Sequence, residues 1–454
     1  MLKQTVLFED ILCKPVQAQF SDERLTSDAG SLLIIVADKK LGLTEAIAEL
    51  IPDGREPAKV QHEVSELLKQ RVFGIANGYE DGNDAAKMKG DPLLKMACGR
   101  RPIKDRDLAS QPTLSRFENS VGPRALVQIS KTLARKVLAY HKSRRSGKKK
   151  PKLITVDMDP YCDPTHGAQQ LTFFNGFYDT TCYLPQTVTL CFDAESVQYA
   201  IGVVLRPGDK GAQYAVIPMM KRLVPLMRKA FPEAKIRFRA DANFSGPDLL
   251  KYLEKEQLGY FIGIGANSVL QRYAEEPMKQ AQELYELQGE TVTCYGEHPY
   301  RAGTWDTTRR VVFKAEMVEA AGREPKMNNR YIVTNLAYTP RRTFKRYHLR
   351  GDMENRIKEL KRGLLIDRTS CCAFMANQFR VLMTLAAFVL YQVLQDKLGA
   401  GELAHAQVST VRERLFKVAA RVKESARRVV LYLTANYPWK DDWIKIAKAL
   451  GAMT

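Results

Sequence analysis

No Cys-x-x-Cys pair occurs among the eight cysteines, and the six histidines are scattered, so the spacing of a structural zinc site is missing. Eight cysteines at irregular intervals in 454 residues do not make a disulfide framework either, and reduced thiols in a cytosolic protein are expected. Long apolar runs are absent. Val381–Leu390 is the longest, about ten residues following Arg380, against the ~20 that span a bilayer. The first ten residues lack an apolar stretch and carry Glu9 and Asp10, unlike a signal peptide. No membrane role is therefore expected. Acid is also scarce: 51 Asp and Glu face 70 Lys and Arg, a net charge of +19. That excess points to a polyanion partner. With 45% hydrophobic and 27% charged residues the chain is neither disordered nor collagen-like, and its length suggests about three domains at ~150 residues each.

Residues 1–130 read as mainly helical, with Val64, Leu67, Leu68 and Val72 marking one apolar face. Between Lys131 and Lys152 stand ten Lys or Arg and no acid, ending in a stretch that holds Arg144, Arg145, Lys148, Lys149 and Lys150. Gly147, Pro151 and two serines mark 131–152 as a basic linker, either simply solvated or touching a nucleic-acid backbone. Beyond it the pattern changes. Strands are expected at Leu153–Asp159, Tyr183–Phe192 and Val197–Leu205, then a helix over 211–230, a strand at Lys235–Ala240, a helix at Pro247–Glu256 and a strand at Tyr260–Ile264. Such an order builds a mixed sheet covered by helices, an α/β core over 153–265. A β-rich insertion over 266–330 follows, and the core resumes at 331–395 with the strand Tyr331–Leu336 and a charged helix Thr343–Gly363. Ala373–Leu394 reads as a buried helix, and 396–454 as a helical C-terminal region.

Acids stand out where strands end. Asp157 and Asp159 are two residues apart and project from one face of the first strand. Asp241 directly follows Ile236–Ala240 and precedes a turn into a helix, where an Asp is commonly a cap. In Thr343–Gly363, Tyr347, Arg350, Glu354 and Lys361 fall within about 60° of one helical face, with Lys358 at its edge. The plainer account is a surface ion pair between Arg350 and Glu354. A metal-binding carboxylate flanked by phosphate-binding cations needs the same arrangement.

The spacing Tyr-x2-Arg-x3-Glu-x6-Lys resembles the signature around the catalytic glutamate of DDE transposases of bacterial insertion sequences. Segments Leu25–Gly30, Gln70–Asp81, Leu108–Asn119, Asp163–Gly167 and Phe174–Phe177 are similar to those of the insertion-sequence 1380 family, and the resemblance covers about residues 20–395. It implies an RNase H-like core whose catalytic triad takes in Asp241 and Glu354. Two aspartates compete for the first place. Counting back from Pro164 and Gly167 favours Asp159, with Asp157 as a further metal ligand or a group orienting the site; Pro160 and Tyr161 follow where related transposases put a small or hydroxyl residue.

Converging carboxylates suit two Mg²⁺ or Mn²⁺ ions and in-line phosphoryl displacement. On this reading Arg350, Lys358 and Lys361 contact phosphates, and Tyr347 stacks on a base or packs. The resemblance further implies terminal inverted repeats and target DNA as partners, a homodimer in a synaptic complex, and a bacterial cytosolic, nucleoid-associated protein. The rival is an inactive or domesticated relative that binds DNA as a repressor.

Overall fold

A computed structural model describes residues 5–8, 14, 16–19, 24–147, 149–320, 323–399 and 402–453. Its centre is an eight-stranded sheet. In chain order the strands are β1 (Leu153–Pro160), β2 (Gln186–Phe192), β3 (Tyr199–Val204), β4 (Lys235–Ala240), β5 (Gly259–Ile264), β6 (Val292–Tyr300), β7 (Arg309–Ala320) and β8 (Arg323–Thr334). In space they run β6-β7-β8-β5-β4-β1-β2-β3. Strands β1, β4 and β5 are parallel neighbours, and every other pairing is antiparallel. The expected order strand-strand-strand-helix-strand-helix-strand is present. β2 is buried end to end and β1 over Ile154–Met158, as strands covered on both faces are, with Thr155, Asp157, Gln186, Thr187 and Thr189 buried among apolar neighbours.

The insertion is β-rich as expected, through β6, β7 and β8, and adds helices to them. Residues 268–288 form two helices, and the strands that follow are not a separate unit, because β8 pairs with β5 and extends the central sheet. Of Tyr331–Leu336, expected as a core strand of its own, Tyr331–Thr334 is the last part of the long strand β8 and the rest a bend. The polar faces of β6–β8 hid their length, since half-exposed hairpins alternate weakly.

The basic segment is also different. Helix α1 (Pro123–Ser143) continues through the first half of the expected linker. Leu126, Ile129, Leu133 and Val137 bury one face at helical spacing, and the lysines and arginines between them occupy the other. Counting charge without its period concealed the helix. Helix α2 (Val216–Ala230) lies alongside α1, and Leu138 and Met220 share a core with strands β1–β5.

A second core unites the two ends of the chain. Helix α3 (Phe374–Leu398) packs against Val64–Asn77, α1 and β3. It is long and apolar enough to cross a membrane, but 89% of its most apolar window is buried in protein. The C-terminal region is not wholly helical, for Ala420–Glu424 and Val429–Leu433 form a hairpin that adds Leu25–Thr26 as a third strand. Lys417 reaches Asp28 at 2.7 Å, and the Tyr79 hydroxyl donates to the same carboxylate at 2.7 Å. Gly30 lies so close to Leu415 that a Cβ would fall 1.7 Å from its carbonyl oxygen. The segments Gln70–Asp81 and Leu108–Asn119 are likewise joined, by the buried pair Arg71–Glu118 at 2.5 Å and by Gln70 bonding Ala109 in both directions. The helices before and after the sheet thus share one interior.

Candidate active site

Two neighbouring strands bring the acids together. Parallel pairing of β1 with β4 sets Arg239 opposite Asp157. Carried two residues on, the same register sets Asp241 beside Asp159 at the strand ends, where functional groups of open sheets collect. The Nη2 atom of Arg350 lies 2.6 Å from Asp159 Oδ1 and 3.7 Å from Asp241 Oδ2, so one guanidinium holds both carboxylates. Asp241 is also the expected cap: its Oδ1 accepts from Asn243 N at 2.9 Å at the start of a short 3₁₀ turn.

Glu354 enters from above. It sits exposed on α5 (Gly351–Lys358), which follows α4 (Pro340–His348) after a break at Leu349–Arg350. Met353 anchors α5 by accepting the Thr189 hydroxyl at 3.1 Å, and Asp352 accepts Gln198 N at 3.0 Å. With those neighbours turned to the sheet, Glu354 faces outward within electrostatic reach of Asp159. Burial pushes the Asp159 carboxyl up to about 7; Arg350 opposes this, and Asp241 and Glu354 add to the rise. Among the described residues no three Asp, Glu, His or Cys side chains close into a metal-ion cage. Asp159 and Asp241 converge on a cation that is Arg350, with Glu354 standing off.

Asp157 is fully buried, and its two oxygens accept from Arg239 Nε at 2.6 Å and Nη2 at 2.8 Å, so the neighbouring strand and not Arg350 engages it. Arg239 also donates to the Arg346 carbonyl at 2.6 Å, tying α4 to the strand. A partner for that buried acid was legible in the sequence. Arg237 and Arg239 alternate in an otherwise apolar strand, and a buried arginine needs an acceptor.

The expected stripe on one straight helix divides. Tyr347 packs beside Phe261, Val312, Ile332 and Phe344, with its hydroxyl against Gly263 of β5. A Cβ at Gly263 would come within 2.9 Å of that hydroxyl and of Ala242 N, so only glycine fits there. Of the two roles expected for Tyr347, packing is the one these contacts supply. Lys358 is exposed beside Glu354. A π-helical turn at Glu359–Gly363 swings Lys361 out of phase, to Asp367 at 3.2 Å and the Cys162 carbonyl at 3.1 Å.

Of the linker cations, Arg144 is paired with Asp396 at 2.9 Å and the Tyr199 hydroxyl at 2.7 Å, and Arg145 with Glu195. Acids of the chain itself thus already pair with both arginines that the sequence offered as DNA contacts. Lys150 pairs with Glu233 at 2.5 Å at the surface, Lys149 is exposed, and Lys148 lies outside the described residues.

The family model described as "Transposase DDE domain group 1" matches residues 8–454. The chain belongs to this family of transposases, and so to the polynucleotidyl transferase class. No curated protein matches it. Among solved structures it is similar to a piggyBac transposase synaptic complex with hairpin DNA, determined by cryo-electron microscopy, over 87% of this chain and 82% of that one. The identity is 10% and the TM-score 0.40, too low to carry an argument.

Two outcomes follow from this geometry. Asp157→Asn and Arg239→Met each leave a buried partner unpaired and should cost about 3–5 kcal/mol in urea unfolding, with the double variant recovering part of the loss. If the single variants unfold like wild type, the pair does not carry the strands. The second concerns Asp163, buried with its Oδ2 accepting the Thr369 hydroxyl at 2.9 Å. Burial lifts it from 3.8 to about 8, so the folded chain holds a proton that the unfolded chain releases near pH 4. Stability from this group is full below about pH 4 and is lost as pH climbs through about 8. Asp163→Asn should flatten that decline in melts taken from pH 4 to 9; an unchanged pH profile would remove Asp163 from it.

Proposed function

We propose that this transposase cuts DNA at the ends of an element and transfers the freed strand to target DNA by in-line phosphoryl displacement, with Asp159, Asp241 and Glu354 as the acidic triad. One observation carries the reading: two carboxylates at adjacent parallel strand ends converge on a single cation in a chain of net charge +19. Hard oxygen donors of this kind fit Mg²⁺ or Mn²⁺. Bound there, two such ions supply the charge that activates the attacking oxygen and stabilises the leaving one. Strand order β3-β2-β1-β4-β5 supports an RNase H-like core, and the resemblance of Leu25–Gly30, Gln70–Asp81, Leu108–Asn119, Asp163–Gly167 and Phe174–Phe177 supports the insertion-sequence 1380 family of bacteria.

The chain's own groups prepare the site. Arg350 keeps Asp159 and Asp241 side by side although their charges repel. Asp159 retains its proton up to about pH 7, which relieves that repulsion in part. Lys358, exposed on the helix of Glu354, is placed for a phosphate beside the cut. Holding two element ends requires a homodimer, working on the bacterial nucleoid. The repressor reading has one observation on its side, since Arg350 already neutralises the two aspartates.

Nicking of inverted-repeat DNA with Mg²⁺ separates them. Wild type should cut, and Glu354→Ala and Asp241→Asn should each lose about a hundredfold or more while still binding the DNA. Binding without any cutting by wild type, or undiminished cutting by Glu354→Ala, would establish the other reading.

A further inference from the structure

Between α1 and α2 runs a surface groove of about 630 Å³. Lys131, Arg135 and Lys142 line it from α1, and Lys221, Arg222 and Lys229 from α2, with no acid among the lining residues. Neighbouring cations are neutralised: Arg144 and Arg145 by Glu195 and Asp396, Lys150 by Glu233, Arg228 by Glu256. The six in the groove have no ion-pair partner among the described residues. Like charges lined up over an apolar floor that includes Leu138, Pro225 and Leu226 repel one another, and the low-polarity floor focuses their field outward.

The groove has a direction. A second cavity of about 380 Å³ shares Arg222 with it and reaches Tyr214 and Ala215 before α2, and a third of about 370 Å³ shares Lys142 at the other end. At the near end, Gln213 just before α2 donates to the Asn243 carbonyl at 3.2 Å, in the turn that Asp241 caps. From Lys131 to Lys142 the cations span about 16 Å, roughly five base-pair steps of a duplex.

We propose that this trough is a track for the phosphate backbone of duplex DNA, gripping the stretch that leads away from the carboxylate site. It rests on the transposase reading for the identity of the polyanion, but not on the chemistry of the triad. The cations lie where the sequence hides them, on one face of a helix whose other face is core.

The test is fluorescence anisotropy of the full chain with a random-sequence duplex of about 30 base pairs, across a salt series. Lys131→Glu/Arg135→Glu/Lys221→Glu should weaken binding at least about tenfold near 100 mM salt and lower the log–log salt slope by roughly two to three. A charge-matched control, Lys39→Glu/Lys40→Glu/Lys279→Glu, should change the affinity less than about threefold. Circular-dichroism melts verify that both triple variants fold. Equal losses in the two variants would overturn the track in favour of diffuse charge. An unchanged affinity in the first would also overturn it, as would a loss confined to single-stranded DNA or to vesicles rich in phosphatidylglycerol. Because Glu354→Ala should bind this duplex like wild type, failure of the track and failure of the catalytic reading give different results.

Discussion

One buried ion pair sets the geometry on which the site depends. Asp157 and Arg239 face each other across the two central parallel strands, both removed from water and joined by two short bonds. A mismatch of one residue between those strands would turn the arginine to the opposite face and strand both charges, so the pair specifies register as well as adhesion. The register in turn places Asp241 next to Asp159. Through the Arg346 carbonyl the same guanidinium fixes α4, which carries Tyr347 in its last turn and leads into Arg350. A charged pair that touches no substrate therefore locates most of the groups that would.

Above this pair the site is electrostatically tense. Two aspartates lie side by side in a partly buried cleft, with a third carboxylate near enough to raise the pKa of the first. Arg350 makes the arrangement tolerable, and its own charged state is favoured by those same aspartates against the opposing effect of burial. Burial, charge and register together produce a cleft with high affinity for positive charge, set in a protein whose outer surfaces attract negative charge. Those two fields lie side by side, as cutting a polyanion with acidic groups requires.

Much of this was legible in the sequence, and the failures share a cause. Strand ends and the spacing from Tyr347 to Lys361 could be read because each depends on local period. Asp157 was not resolvable from Asp159 that way: both face one side, and only the partner strand decides which meets Arg239 and which meets Arg350. Lys361 left its stripe because a π-helical turn adds a residue that a uniform 100° step cannot anticipate. The first half of the expected linker is helix because Ile129, Leu133 and Val137 keep the period, which ten cations masked in the composition. The joining of Leu25–Thr26 to the C-terminal hairpin had no local signal at all, since such a pairing bridges nearly the whole chain.

Arg350 occupies the place between Asp159 and Asp241, where a metal ion would sit in the proposed reaction. Anomalous scattering from crystals soaked in Mn²⁺ tests it most directly. The account predicts a manganese peak bridged by the Asp159 and Asp241 carboxylates, with the Arg350 guanidinium displaced and Asp157 still bound to Arg239. A peak coordinated by Asp157, or Arg350 still joining the two aspartates while manganese binds elsewhere, would contradict it.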